Sequence, residues 1–167
     1  MQQTFVFSKV AVVVGPWWEP GDPPERGARV ELRLLSDEPH RGSESAAQRV
    51  VIDEALFRAD LFDQLDGPAG NLLAAHFHAG FDGVEPRDRQ WPERIREDPT
   101  GWLTDQLGDL RALLAQAGAG DRNGAWIDAD AAALRKACPA IIAAVEATWT
   151  TVRDEAASSA GDSTPSR

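Results

Sequence analysis

The chain has 167 residues, of which 43% are hydrophobic and 26% are charged, and its net charge is −10. This size and composition are typical of one globular domain, which we expect over residues 1–157, followed by a disordered polar tail over 158–167. The acidic surface repels phosphate groups and anionic lipids, which argues against nucleic-acid and membrane partners. A protein, a small molecule and a second copy of the chain in a homodimer remain as candidate partners.

The single cysteine and the lack of long apolar runs predict a soluble, cytoplasmic protein. One cysteine cannot form an internal disulfide framework, and this suits a reducing compartment. No apolar run reaches the roughly 20 residues that a membrane span needs. The run Val10–Val14 is too short for a signal peptide and predicts a buried strand instead.

The first 34 residues predict a β-hairpin. A segment rich in aromatic and β-branched residues reaches Val14, and strict alternation of apolar and charged residues over Ala28–Leu34 predicts a second strand with one buried face. The four prolines and three glycines of residues 15–27 predict a loop between the two strands.

Two adjacent tryptophans, Trp17 and Trp18, lie in this predicted loop. They either fold back onto the body of the protein or form a contact surface. Folding back is favoured, because a large aromatic pair left in water loses considerable burial energy. The alternative makes the pair an interaction surface.

The middle of the chain predicts two further strands and one ambiguous segment. Arg49–Asp53 reads as a third strand and Leu72–Phe81 as a fourth. In Glu54–Leu65, apolar residues at every fourth position favour a short helix, although alternation in the same segment also fits a strand.

The last third of the chain predicts two long helices. Asp98 followed by Pro99 is typical of a helix start, and Gly118 of a helix end. A second apolar stripe follows, with Asp128 or Asp130 as its cap. Strands first and helices second predict an α+β fold, in which an N-terminal antiparallel sheet of about four strands is covered by two long C-terminal helices.

Two neighbouring residues in the last helix deserve separate predictions. Pro139 interrupts the apolar stripe and predicts a kink or break near Lys136, because an interior proline removes a hydrogen bond and clashes with the preceding turn. Cys138 lies among apolar helix positions, which favours a small core residue over a nucleophile.

The segment His-Phe-His at 76–78 carries the main functional hypothesis. On a strand, His76 and His78 lie on the same side about 7 Å apart, which is half of a metal site. A nearby carboxylate, Asp82 or Glu85, would complete a centre for Zn²⁺, Fe²⁺, Mn²⁺ or Ni²⁺. His40 could join only if its loop folds over the strand.

Three other interpretations of the pair stay open. The histidines could form the wet face of a half-buried strand, or backbone carbonyls could accept their N–H groups. They could also transfer protons without a metal.

The segment 70–82 resembles the first motif of the cupin family, with Gly70, His76, His78 and an acidic residue, Asp82, at similar spacing. The resemblance implies a small β-barrel that binds a divalent metal, with both histidines as ligands and Asp82 in place of the family's glutamate. Where the second cupin motif would supply a third histidine, this chain has Thr104 in a segment that predicts a helix. We therefore do not assign the chain to the family.

Two functions follow from these features. The first is a protein- or ligand-binding module whose interaction surface is Trp17 and Trp18. The alternative is a small metal-dependent enzyme, an oxygenase, isomerase or hydrolase, in which Arg87 or Arg89 would hold a substrate carboxylate. Acidic residues interrupt this arginine-rich stretch, so it also reads as a salt-bridged loop.

Overall fold

A computed structural model describes residues 1–39, 42–43, 49–119 and 124–161. Five antiparallel strands form one sheet in chain order, β1 Gln3–Val6, β2 Val10–Glu19, β3 Glu25–Asp37, β4 Val50–Gln64 and β5 His76–His78. A separate hairpin pairs β6 Phe81–Asp82 with β7 Glu85–Pro86. The helices are α1 Glu93–Glu97, α2 Pro99–Gly108, α3 Leu110–Gln116 and α4 Trp126–Gly161.

The predicted α+β class with an antiparallel sheet is confirmed, but two details differ. Among the described residues, the main sheet has five strands instead of four, and one long helix, α4, accompanies three short ones. The apolar faces of β2, β3 and β4 pack against the helices and form the core, which includes Val12, Val30, Leu32, Phe57 and Leu61. Trp149 of α4 donates from Nε1 to the carbonyl of Leu61 at 3.0 Å and so ties the long helix to β4.

The predicted loop at 15–27 is present but shorter, because β2 runs to Glu19 and β3 begins at Glu25, which leaves only residues 20–24 between the strands. Pro16 is tolerated in a strand because β1 pairs with β2 only as far as Val14. Beyond that point β2 is an edge strand on this side, where the missing N–H of proline removes no ladder bond. Trp17 and Trp18 are therefore strand residues.

The predicted short helix at 54–65 is also wrong, since this segment belongs to the long strand β4. The predicted third strand at 49–53 is the start of the same element. A spacing of four residues places side chains on one face of a helix, but four is even, so it also places them on one face of a strand. Pairing with β3 on one side and β5 on the other decides in favour of the strand.

The predicted helix start at Asp98 is confirmed, and Asp98 accepts a hydrogen bond from the Gly101 amide at 2.9 Å. The helix does not continue to Gly118, however, because it is interrupted at Asp109. That residue caps α3 by accepting from the Ala112 amide at 3.0 Å. The first predicted long helix is thus two short ones.

Helix α4 is continuous through Pro139, so of the predicted kink or break near Lys136 the break is absent. The helix begins at Trp126, so Asp128 lies in its first turn instead of capping it, and Asp130 accepts from the backbone amides of Ser8 and Lys9, just before β2. Helix α4 also includes residues 158–161 of the expected tail, while 162–167 lie outside the described residues. Within the described segments, no helix combines the length and apolar character needed to cross a membrane.

Candidate metal centre

The strand register assembles a polar cluster on the face of the sheet that points away from the core. Asp60 of β4 lies opposite His76 of β5, and Arg58 lies opposite His78. On the other side of β4, Arg29 of β3 lies opposite Asp60. Because Phe57, Ala59 and Leu61 of β4 face the core, alternation directs the polar residues to the second face.

The cluster is buried even though it lies on the second face. Asp60 and His76 are 1% exposed and His78 is 3% exposed, so the interpretation of a wet strand face is wrong. The segment that follows β5 covers them. The Trp91 ring lies 4.8 Å from the His76 ring, and Gln90 exchanges backbone hydrogen bonds with Phe77.

Both imidazoles are held by backbone carbonyls at Nδ1. His76 Nδ1 donates to the carbonyl of Ala74 at 2.7 Å, and His78 Nδ1 donates to the carbonyl of Arg87. A carbonyl oxygen can only accept, so Nδ1 carries the proton and the lone pair of each neutral ring is at Nε2. Metal-binding histidines are commonly oriented in this way, because the N–H on the far side of the ring fixes the tautomer.

The two Nε2 atoms and the Asp60 carboxylate converge. One ligand atom from each of Asp60, His76 and His78 lies within 4.8 Å of the others, which is metal-binding distance. His76 Nε2 is 3.4 Å and His78 Nε2 is 3.8 Å from Asp60 Oδ2. Among the described residues, His76 Nε2 has no hydrogen-bond partner. A buried lone pair directed at a carboxylate is unfavourable unless a proton or a cation lies between them.

Two guanidinium groups contact Asp60. Arg29 donates from Nε to Oδ1 at 2.6 Å and from Nη2 to Oδ2 at 3.3 Å. Arg58 places Nε 3.0 Å from Oδ2 and donates from Nη2 to His78 Nε2 at 3.0 Å. The carboxylate is therefore bound on one side by a bidentate arginine and faces the histidines and Arg58 on the other.

The electrostatics of the cluster favour an ionised carboxylate and a neutral His78. Burial alone would raise the pKa of Asp60, but the hydrogen bond from Arg29 and the charges of Arg29 and Arg58 favour the ionised carboxylate, and the pKa is lowered to about 2. Burial lowers the pKa of His78, against the bond to the Arg87 carbonyl. An anionic carboxylate and a neutral imidazole are the states that bind metal ions.

The structure brings together only two of the four metal ligands expected from the sequence. His76 and His78 converge, whereas the exposed Asp82 lies in β6 and pairs with Arg87 at 3.1 Å. Glu85 is exposed in β7. His40 lies outside the described residues.

The arginines expected to bind substrate belong to ion pairs near the surface. Arg87 Nε donates to Asp82 at 3.1 Å, and Arg89 lies 3.5 Å from the Glu25 carboxylate. The alternative expectation, a salt-bridged loop, describes both contacts. Neither guanidinium is among the groups that contact Asp60.

The third member of the cluster, Asp60, was missed by sequence reasoning as a partner of the histidines. The misleading feature was the helical interpretation of 54–65, which separated Asp60 from any strand. A polar residue at every second position, Arg58 then Asp60, in an otherwise apolar run was the available signal for a strand with a polar face. Sequence alone could not show that this face meets His76 and His78.

The tryptophans of β2 do not fold back into the core, contrary to the prediction. Trp17 is 46% exposed and Trp18 is 58% exposed. The Trp17 ring stacks on the guanidinium of Arg29, whose Cζ is 3.9 Å from the ring centroid. Arg29 thus contacts both the Asp60 carboxylate and the Trp17 ring.

Fold and site together define an α+β protein with a buried Asp-His-His group in metal-binding geometry. Comparison of the chain with protein-family models, curated proteins and solved structures gives no match. The barrel implied by the cupin resemblance is also absent among the described residues, because β1 and β5 lie at opposite edges of an open sheet.

Proposed function

We propose that this chain binds a divalent transition metal at Asp60, His76 and His78. The observation that carries the proposal is His76 Nε2, a buried atom with no hydrogen-bond partner among the described residues, directed at the Asp60 carboxylate beside a second imidazole. A cation between these atoms would satisfy two lone pairs and one negative charge at once.

The donor set limits the metals. Two imidazole nitrogens and one carboxylate oxygen suit Zn²⁺ and Fe²⁺, and also accept Mn²⁺ and Ni²⁺. Three protein ligands leave at least one coordination position for water or substrate, as in catalytic centres. A small metal-dependent enzyme, an oxygenase, isomerase or hydrolase, is accordingly the class of function that we propose for a metal-loaded chain.

The test is metal binding by protein purified without a histidine tag and freed of metal with EDTA. We expect about one equivalent of Zn²⁺ or Fe²⁺ by calorimetry and elemental analysis, and visible absorption from Co²⁺ bound at the same ligands. His78→Gln and Asp60→Asn should lose most of the affinity, because each removes a ligand while keeping similar volume.

Two surface variants serve as matched controls. Asp82→Asn and Glu85→Gln remove exposed carboxylates that are not part of the group formed by Asp60, His76 and His78, so both variants should bind metal as the unmodified chain does. Binding of less than about a tenth of an equivalent of all four metals would contradict the proposal. Loss of binding in the Asp82 variant would contradict the assignment of Asp60.

A second candidate function is recognition of a basic protein segment by the exposed tryptophans. Trp17 and Trp18 are 46% and 58% exposed on a chain of net charge −10. Both indoles line a shallow depression together with Glu155 and Arg26, which pair with each other at 2.7 Å. Exposed indoles on a chain of net negative charge suit a lysine-rich partner.

A lysine-rich peptide titrated into the protein tests this second function by calorimetry and indole fluorescence. Binding should weaken with added salt and with Trp18→Ala. Trp91→Phe, at a similarly exposed indole elsewhere, should leave it unchanged. Absence of binding heat together with an unaltered emission spectrum would refute it.

A further inference from the structure

We propose that Arg58 is a displaceable internal cation of the metal centre. Its guanidinium holds the position of the metal ion in the metal-free chain, and metal binding moves it into an adjoining acidic cavity. This inference rests on the proposed metal site and adds the residue that controls its affinity.

Arg58 and a metal ion compete for the same two atoms. The guanidinium donates from Nη2 to His78 Nε2 at 3.0 Å and places Nε 3.0 Å from Asp60 Oδ2. A transition metal would need both atoms at about 2.0–2.2 Å. It would then lie in contact with a group of like charge, so the two cations exclude one another.

The two arginines at Asp60 differ in how firmly they are held. Arg29 donates to both carboxylate oxygens, at 2.6 and 3.3 Å, and carries the Trp17 ring on its guanidinium. Arg58 Nε is buried and makes no hydrogen bond to any described residue despite its short distance to Asp60. Arg58 is therefore the guanidinium that can leave, while Arg29 retains Oδ1 and orients the carboxylate.

A cavity beside Arg58 can accommodate its displaced side chain. A cavity of about 190 Å³ borders its side chain, and Glu31, Asp53 and Glu54 contribute to the lining. Glu31 lies directly opposite Arg58 in the β3–β4 ladder. A guanidinium turned into this cavity would exchange Asp60 for other carboxylates and for water, so its displacement does not leave a buried charge unpaired.

Displacement gives the centre a built-in affinity control. Every metal ion that enters must first break the contacts of Arg58 with Asp60 and His78. Removing the guanidinium removes that competitor and leaves the three ligands in place. Affinity should then rise, whereas a merely structural Arg58 would lower it when lost.

The first measurement compares metal affinity in Arg58→Gln, Arg33→Gln and the unmodified chain. Arg33 lines the same cavity and pairs with Glu31, so its variant removes the same charge without touching the cluster. We expect Arg58→Gln to bind Zn²⁺ at least about tenfold more tightly, the worth of one charge-assisted hydrogen bond that the metal no longer breaks. Arg33→Gln should change affinity less than about threefold, because the Arg33 guanidinium pairs with Glu31 and is not among the groups that contact Asp60 or the histidines.

The outcomes separate this inference from the proposed function. Equal affinities of Arg58→Gln and the unmodified chain overturn the inference and leave the metal site standing. Equal tightening by both arginine variants also overturns it, because long-range charge would then be the cause. Absence of metal binding in all three proteins overturns the proposed function and this inference with it.

A second measurement needs no variant and stands if Arg58→Gln fails to fold. Phenylglyoxal modifies accessible guanidinium groups, and peptide mass spectrometry locates the modified arginine. Arg58 should react faster after Zn²⁺ is added to the unmodified chain, while Arg29, still bonded to Asp60, should keep its low reactivity. Unchanged reactivity of Arg58 in the metal-loaded chain would refute displacement.

Discussion

Replacing Asp60 by asparagine in the metal-free protein removes the carboxylate between two largely buried guanidinium groups. The side chains of Arg29 and Arg58 are only 12% and 15% exposed, and both form ion pairs with Asp60. An amide at position 60 cannot neutralise either one. We expect a large loss of stability, because the two guanidinium groups stay buried without their counter-charge.

The magnitude follows from the pKa and from the ion pairs. The pKa of Asp60 falls from an ordinary 3.8 to about 2 in the folded protein. At about 1.4 kcal/mol per pKa unit, ionised Asp60 contributes about 2 kcal/mol to the free energy of unfolding at neutral pH. Breaking a buried ion pair from one side typically costs about 3–5 kcal/mol. Asp60→Asn should therefore lose between about 2 and 5 kcal/mol.

The effect has a defined pH dependence. Because the folded pKa of Asp60 is below the unfolded value, its contribution is complete above the unfolded pKa and disappears as the pH falls through about 2. At pH 3 roughly half of the linked contribution should remain. The difference in stability between the unmodified chain and Asp60→Asn should shrink accordingly.

The assay is urea unfolding followed by far-UV circular dichroism at pH 7 and at pH 3, with EDTA present. Asp82→Asn, at an exposed carboxylate, is the control and should unfold as the unmodified chain does. The reasoning fails if Asp60→Asn has the same free energy of unfolding as the unmodified chain at pH 7. It also fails if the loss is equal at the two pH values.

Two further predictions concern packing and thiol reactivity. Gly27→Ala should destabilise the protein by about 1–3 kcal/mol in urea unfolding, because a Cβ would lie 2.2 Å from the Leu61 carbonyl oxygen and 2.8 Å from Phe62 Cα. The matched change Gly108→Ala, in a helix with open space around the glycine, should stabilise the protein slightly. Equal effects of the two changes on the free energy of unfolding would contradict this packing. Burial raises the pKa of the Cys138 thiol, so native protein should react with a disulfide reagent at pH 8 far more slowly than urea-unfolded protein, and equal rates would show that the thiol is accessible.

The local elements that the sequence predicted correctly are those with a short-range cause. The alternation of Ala28–Leu34 appears as the centre of β3, since period two has only one interpretation when strictly kept. Asp98 caps a helix because its side chain reaches an amide three residues away. Cys138 is buried, as expected from its apolar neighbours along the helix.

The elements predicted wrongly depend on contacts with strands that are distant in the sequence. Pro16 and the tryptophans signal a loop by composition, but pairing with β3 extends the strand through them. The segment 54–65 satisfies both a helical and a strand period, and two flanking strands decide between them. Local sequence cannot report which strands lie alongside.

The same distinction between short-range and long-range causes applies to the candidate site. The sequence by itself determined that His76 and His78 share one side of a strand, because side chains two residues apart always do. Only the tertiary structure selected Asp60 as their carboxylate and placed Arg29 and Arg58 around it, since these residues meet through the register of three strands that lie far apart in the chain. The tertiary structure also determines that the cluster is buried, because the segment after β5 covers it. Burial turns an ordinary polar strand face into a group of atoms that needs a proton or a cation.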